Sequence, residues 1–160
     1  MTQTISGYAS VFGIPDLSGD EVRPGAFTQS LKSAAISDVK MLYQHDFARP
    51  IGRWRRIVET EKGLWVEGCL TPRVRLAEEV AALVADGALD GLSIGFRVRR
   101  AEAARGRVRR RLVDLELVEI SVVTFPMQPQ ARIASHHRNR TDGLAPSLRS
   151  AGDRLKALAS

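Results

Sequence analysis

Three residue types that together perform nucleophilic catalysis stand far apart in this sequence: Ser93, His45 and Glu119. Ser93 lies in Gly91-Leu92-Ser93-Ile94-Gly95, which fits the G-x-S-x-G pattern of a hydrolase nucleophile elbow. Such an elbow needs a strand before the serine and a helix after it. Here a helical pattern precedes Ser93 and a strand pattern follows it, and only His136-His137 come later in the chain. The elbow reading fails. Ser93 is then either a small residue at a helix-to-strand turn or a nucleophile served by another histidine.

His45, in Tyr43-Gln44-His45-Asp46, is the only histidine in the body of the chain. Any Ser–His chemistry must use it, the alternative being a structural histidine. Glu119 draws attention through its neighbours. Alternation along the segment puts Val113, Leu115, Leu117, Glu119 and Val123 on one strand face. A carboxylate on an apolar face is costly unless paired. Two partners fit: one of the many arginines, in a buried ion pair, or His45, whose ring N–H the carboxylate would accept to hold the working tautomer. Ser121, on the same face, either supports Glu119 or rivals Ser93.

The elements that must position these residues follow from periodicity. TISGYASVFG reads as a short strand, followed by a polar turn, IPDLSGDEVRPG. AFTQSLKSA has helical spacing, VKMLYQHD is a short apolar strand ending in polar residues, and RPIGRWRRIVETEKGLWVEGCL reads as a hairpin turning at Glu61-Lys62-Gly63. Thr71 and Pro72 predict a helix start, with Val74, Ala77, Val80, Ala81 and Val84 on its inner face and Gly87 as its stop. GFRVRRAEA and GRVRRRLVDLELVEISVVTF read as two strands around Ala104-Arg105-Gly106. The fold class expected is mainly β with helices (α+β), a small barrel or sandwich with helices packed outside. Residues 1–134 are read as one domain and 135–160 as a polar, basic tail outside the core.

Composition narrows the function classes. The 160 residues include 24 Lys+Arg against 18 Asp+Glu, a net charge of +6, which favours acidic partners. Much of the excess lies in residues 96–112; the arginines there read either as a charged edge that blocks strand pairing or as a contact surface. No aromatic residues interleave with them, so nucleic acid is not expected as a specific ligand. No apolar run approaches the roughly 20 residues of a membrane span, and the N-terminus lacks a secretory layout, so cytoplasmic synthesis without membrane association is expected. Cys69 is the only cysteine and reads as a small buried hydrophobe, and the histidines offer no metal-ligand spacing. No metal or cofactor is expected.

Six segments in this order, GYASVFG, GDEVRPGAF, LYQHD with PIG, GLWVEG, DGALDGLSIGF and ELVEISVVTFPMQPQARI, resemble the prohead maturation proteases of tailed bacteriophages. That family is related to the herpesvirus assembly protease. The likeness covers residues 5–134, and Met127-Gln128 depart from it where family members often carry alanine and asparagine. The resemblance implies a closed, mostly antiparallel β-barrel ringed by helices. It implies His45 and Ser93 as the catalytic pair and Glu119 as third member, a place where the herpesvirus relatives use a second histidine. It further implies a serine endopeptidase that cleaves the scaffolding region of the major capsid protein, and itself, inside the assembling procapsid in the bacterial cytoplasm. A homodimer is expected by the same analogy. Arg107, Arg109 and Arg110 would then suit docking onto acidic scaffold. The competing readings are a catalytically silent capsid-assembly factor and a basic nucleic-acid-binding domain.

Overall fold

A computed structural model of the chain describes residues 2–139. Eight strands and two α-helices follow one another as β1 (Thr2–Val11), β2 (Asp20–Val22), α1 (Thr28–Ser33), a 3-10 turn at Ile36–Asp38, β3 (Lys40–Tyr43), β4 (Asp46–Glu59), β5 (Gly63–Leu70), α2 (Arg75–Asp86), β6 (Gly91–Ala103), β7 (Arg110–Val123) and β8 (Ile133–Asn139).

β7 is the hub of a single sheet. β6 pairs antiparallel along its whole length. β2 and β3 pair parallel to β7 at residues 110–112 and 119–122, so both must occupy the edge that β6 leaves free. From β3 the sheet continues through β4, β5, β1 and β8, all antiparallel. Leu112, Leu115, Ile120 and Val122 of β7 are fully buried, which at about 1.5–3 kcal/mol per large apolar side chain makes this strand the spine of the core.

The expected closed barrel ringed by helices needs correction on two points, whereas its mostly antiparallel pairing holds, with two of the strand pairings parallel. The sheet curls but stays open, because β6 and β8 are not paired as strands. A single bridge, Gly91 to Arg132, crosses the seam, with Leu92 N–H donating to Ala131 O (3.0 Å) and Ile133 N–H to Asp90 O (2.8 Å). The segment that would have to close the ladder carries Pro126 and Pro129, which lack the N–H groups a ladder requires. Finally, the ring of helices reduces, among the described residues, to α1 of 6 residues and α2 of 12.

Local differences have local causes. α2 buries Ala77, Val80, Ala81 and Val84 and stops at Gly87 (φ 82°), as its pattern predicts, but Val74, expected on the same face, precedes the helix and is exposed. The helix starts later than Thr71-Pro72, with Val74 as an N-cap that offers no side-chain cap. Thr71 N–H still serves the sheet by donating to Ile51 O (2.9 Å), and Arg73, at φ 66°, breaks the helical path before Arg75. The polar turn after β1 contains the three-residue strand β2. The boundary expected after residue 134 falls inside β8, whose residues pair with β1 from Ser6↔Ser135 to Thr2↔Asn139. The remainder of the expected tail, residues 140–160, lies outside the described residues.

Candidate active site

His45 sits in a two-residue hairpin turn between β3 and β4, since Tyr43 and Asp46 are paired. Gln44 and His45 adopt φ of 54° and 59°, the left-handed conformation that such turns demand and that Asn-Gly usually supplies. Side chains other than Gly, Asn and Asp rarely adopt it, at a cost on the order of 1 kcal/mol or more each. The turn is held nevertheless. Gln44 N–H donates to Val122 O (3.0 Å), and His45 N–H to the Ser121 hydroxyl (3.1 Å). Gln44 Nε2 also donates to Thr124 Oγ1 (2.7 Å), and Thr124 N–H donates back to Gln44 Oε1 (3.2 Å). Strain at Gln44 and His45, maintained by this many bonds, is a pattern that clusters at functional sites and makes His45 a candidate.

Glu119 lies on β7 and is only 2 % exposed. Its Oε1 meets His45 Nδ1 at 2.5 Å, and its Oε2 accepts the Ser121 hydroxyl proton at 2.7 Å. Of the two partners open to it from sequence, the histidine is therefore the one it has. An ionised carboxylate at Nδ1 fixes the neutral ring as the Nδ1–H tautomer and leaves Nε2 with a free lone pair, ready to accept a proton. Ser121 is fully buried, its proton is committed to Glu119 and its oxygen to His45 N–H. That excludes it as a rival nucleophile.

Ser93 is the third residue of β6 and stands directly across from Ser121 of β7. It therefore lies within a strand, not in the expected turn. Opposed residues of an antiparallel pair send their side chains to the same face, so Ser93, Ser121 and Glu119 share one face. Ser93 and His45 line one cleft of about 230 Å³, with Ala9, Val22, Leu92 and Leu112 among its apolar walls. Their side chains make no direct hydrogen bond. Catalytic hydrogen bonds are often open in unliganded sites and tighten when substrate binds.

Two acidic residues, Asp16 and Asp20, also line the cleft. Asp20 is held by Arg110 in a two-pronged pair of 2.7 and 2.8 Å. The Asp20 carboxylate, first through this hydrogen bonding, raises the Arg110 pKa above its already very basic value, against a smaller opposing effect of burial. Of the three arginines expected to dock a partner, Arg110 is thus engaged in the cleft wall, whereas Arg107 and Arg109 are exposed and make no ion pair among the described residues.

Gln128 escaped sequence reasoning except as a departure from a pattern. Its Oε1 accepts Val11 N–H (2.7 Å), and its Nε2 donates to Val11 O and Ile14 O (2.8 Å each). Together with Leu17 N–H to Met127 O (2.9 Å), these bonds fix the 124–132 segment to the end of β1 and form one side of the cleft. Cys69 is buried on β5, as expected. Among the described residues no group of three or more His, Cys, Asp or Glu is placed to hold a metal ion. No helix among them is long and apolar enough to cross a membrane.

A curled mixed sheet that brings a serine and a histidine to one cleft, with a buried carboxylate behind the histidine, defines a protein of the herpesvirus-protease-like fold. A solved structure of the KSHV protease in complex with a hexapeptide phosphonate inhibitor matches with a TM-score of 0.63, at 13 % identity, over 87 % of this chain and 66 % of that one. The varicella-zoster virus protease matches with a TM-score of 0.57, at 10 % identity, over 98 % of this chain and 75 % of that one. The chain belongs to the caudovirus prohead serine protease family, whose model matches residues 1–144. The prohead protease of Enterobacteria phage HK97 is 39 % identical over 133 residues, covering 81 % of this chain and 58 % of that protein. That of Escherichia phage T5 is 32 % identical over 123 residues, covering 76 % and 57 %. A capsid polyprotein of Pseudomonas phage PAJU2 is 31 % identical over 140 residues, which are 83 % of this chain and 20 % of the polyprotein. The chain thus spans somewhat more than half the length of the two prohead proteases.

Proposed function

We propose that the chain is a serine endopeptidase that matures phage procapsids. The observation that carries this reading is the 2.5 Å contact of Glu119 with His45 Nδ1, at a cleft that His45 shares with Ser93. In the proposed reaction His45 Nε2 takes the Ser93 hydroxyl proton as Oγ attacks a peptide carbonyl. Glu119 stabilises the imidazolium so formed. Collapse of the tetrahedral intermediate expels the amine, which receives the proton from His45, and leaves an acyl-enzyme. Water, activated by His45, then hydrolyses that ester. Backbone N–H groups near Ser93 must stabilise the oxyanion.

The proposed substrates are the scaffolding region of the major capsid protein and the protease itself, cleaved within the assembling procapsid in the bacterial cytoplasm. A relative named as a capsid polyprotein supports pairing this domain with capsid protein. The exposed Arg107 and Arg109 on the β6–β7 turn suit docking onto acidic scaffold, and a homodimer is part of the same proposal.

Co-expression with the capsid precursor, wild type against Ser93→Ala, followed by intact mass measurement, tests the reading. A shortened capsid protein with the wild type and an uncut one with Ser93→Ala is the expected result. Cleavage that persists with Ser93→Ala overturns the nucleophile. An uncut precursor with both, incorporated into normal procapsids, would instead identify a silent assembly factor.

A further inference from the structure

The Glu119 carboxylate is shaped from two sides by residues outside the serine–histidine pair. On one side is Ser121. Its hydroxyl gives its only proton to Oε2 (2.7 Å) and accepts His45 N–H (3.1 Å), so one fully buried atom ties the carboxylate to the backbone of the histidine it serves.

On the other side is Gly95, directly across from Glu119 in the β6–β7 ladder. Its φ is not in the left-handed region, so the backbone there would accept any residue. What excludes a side chain is the carboxylate itself. A Cβ at residue 95 would fall 2.2 Å from Glu119 Oε1 and 2.8 Å from both Cδ and Cγ. All three nearest atoms belong to Glu119, the far end of a flexible side chain. A larger residue at 95 therefore meets the Glu119 side chain and no backbone among its nearest atoms, so the carboxylate is the group that must move.

We propose that Gly95 and Ser121 are positioning residues that hold the Glu119 carboxylate on His45 Nδ1: Gly95 by vacating the space that the carboxylate fills, Ser121 by orienting its second oxygen. This rests on the serine-protease reading above. Misplacement of a catalytic group by about 1 Å costs on the order of 100-fold in rate. Gly95→Ala should accordingly lower kcat on the capsid precursor by about 10- to 100-fold with KM little changed, and lower the melting temperature only as far as the displaced carboxylate loses its partners. Ser121→Ala should act in the same direction.

Two readouts separate positioning from general damage. In the proton NMR spectrum, the downfield resonance of the His45 Nδ1 proton should shift or vanish in Gly95→Ala and Ser121→Ala while the rest of the spectrum stays native. In a Glu119→Gln background, Gly95→Ala should cost little further, because the group it displaces is already impaired. The proposal is overturned if Gly95→Ala retains wild-type kcat and the Nδ1 resonance, or costs as much in Glu119→Gln as in the wild type. Should Ser121→Ala fail to fold, Gly95→Ala decides by the same measurements. Activity that survives Ser93→Ala refutes the protease mechanism instead. Loss of activity in Ser93→Ala with a fully active Gly95→Ala refutes the positioning role alone.

Discussion

Gln44 and Thr124 grip each other twice, Nε2 to Oγ1 at 2.7 Å and Thr124 N–H to Oε1 at 3.2 Å, across 80 residues of sequence. The pair locks the turn carrying His45 to the end of β7, the strand that carries Glu119. A left-handed turn built from glutamine and histidine lacks the intrinsic preference of Asn-Gly, so its geometry depends on such external bonds.

Thr124→Val keeps the shape of residue 124 and removes the Oγ1 acceptor. Because Gln44 is exposed, the loss of stability should be small, about 0.5–1.5 kcal/mol. Loss of kcat should be of similar size in free energy, up to about 10-fold, since the bond restrains the histidine rather than the core. Denaturant melts and cleavage kinetics on the same preparations check this, and an unchanged kcat would contradict it.

Gln128 makes two hydrogen bonds to Val11 at the end of β1 and one to Ile14 in the turn beyond it, and it is buried. Gln128→Ala would leave those backbone groups without partners, at a cost of about 1–3 kcal/mol for each one that water cannot reach. The expected outcome is a marked drop in unfolding free energy. Faster amide exchange in residues 124–132 should accompany it, measured by hydrogen–deuterium exchange. Gln128→Asn, one methylene shorter, should recover only part of the loss.

Arg110 offers a pH prediction with a definite sign. A group whose pKa is raised by folding stabilises at all pH values below its unfolded pKa, and loses that effect only as pH rises through the folded value. For this guanidinium both values lie far above neutrality, so its contribution should be constant from pH 6 to 9. Arg110→Gln leaves the buried Asp20 carboxylate without its partner. The loss should be about 1–2 kcal/mol, at the low end for a charged bond because the Arg110 side chain is 44 % exposed and screened. Equal shifts in melting temperature at pH 6 and pH 9 are expected; a shift confined to one of them would contradict the assignment.

Much of the site is readable from the amino-acid sequence. Alternation places Glu119 on a buried face because strand geometry is strictly two-fold, and a lone carboxylate among valines and leucines has few solutions. His45 stands out as the only histidine before the segment read as a tail, although His136 and His137 lie in β8 of the same sheet. The glycines around Ser93 read as a turn, and here sequence reasoning fails for a physical reason. Gly91 begins β6, where a Cβ would meet Val123 O at 2.5 Å, and Gly95 makes room for Glu119. Close cross-strand approach calls for glycine as strongly as a turn does, and one sequence does not separate the two.

Periodicity and residue chemistry suffice for the longer strands β1 and β3 to β7 and for most of the inner face of α2, but not for β2, β8 or the exposed Val74. They do not reveal that Glu119 meets His45 rather than an arginine, that Ser121 is a buried tie and not a nucleophile, or that the sheet stays open. Those outcomes depend on register. β3 lies parallel beside β7 so that Leu42 faces Ser121, and β6 lies antiparallel on the opposite edge so that Ser93 faces the same residue. Which residues stand opposite one another is fixed by the packing of the whole sheet, and no local stretch of the chain encodes it.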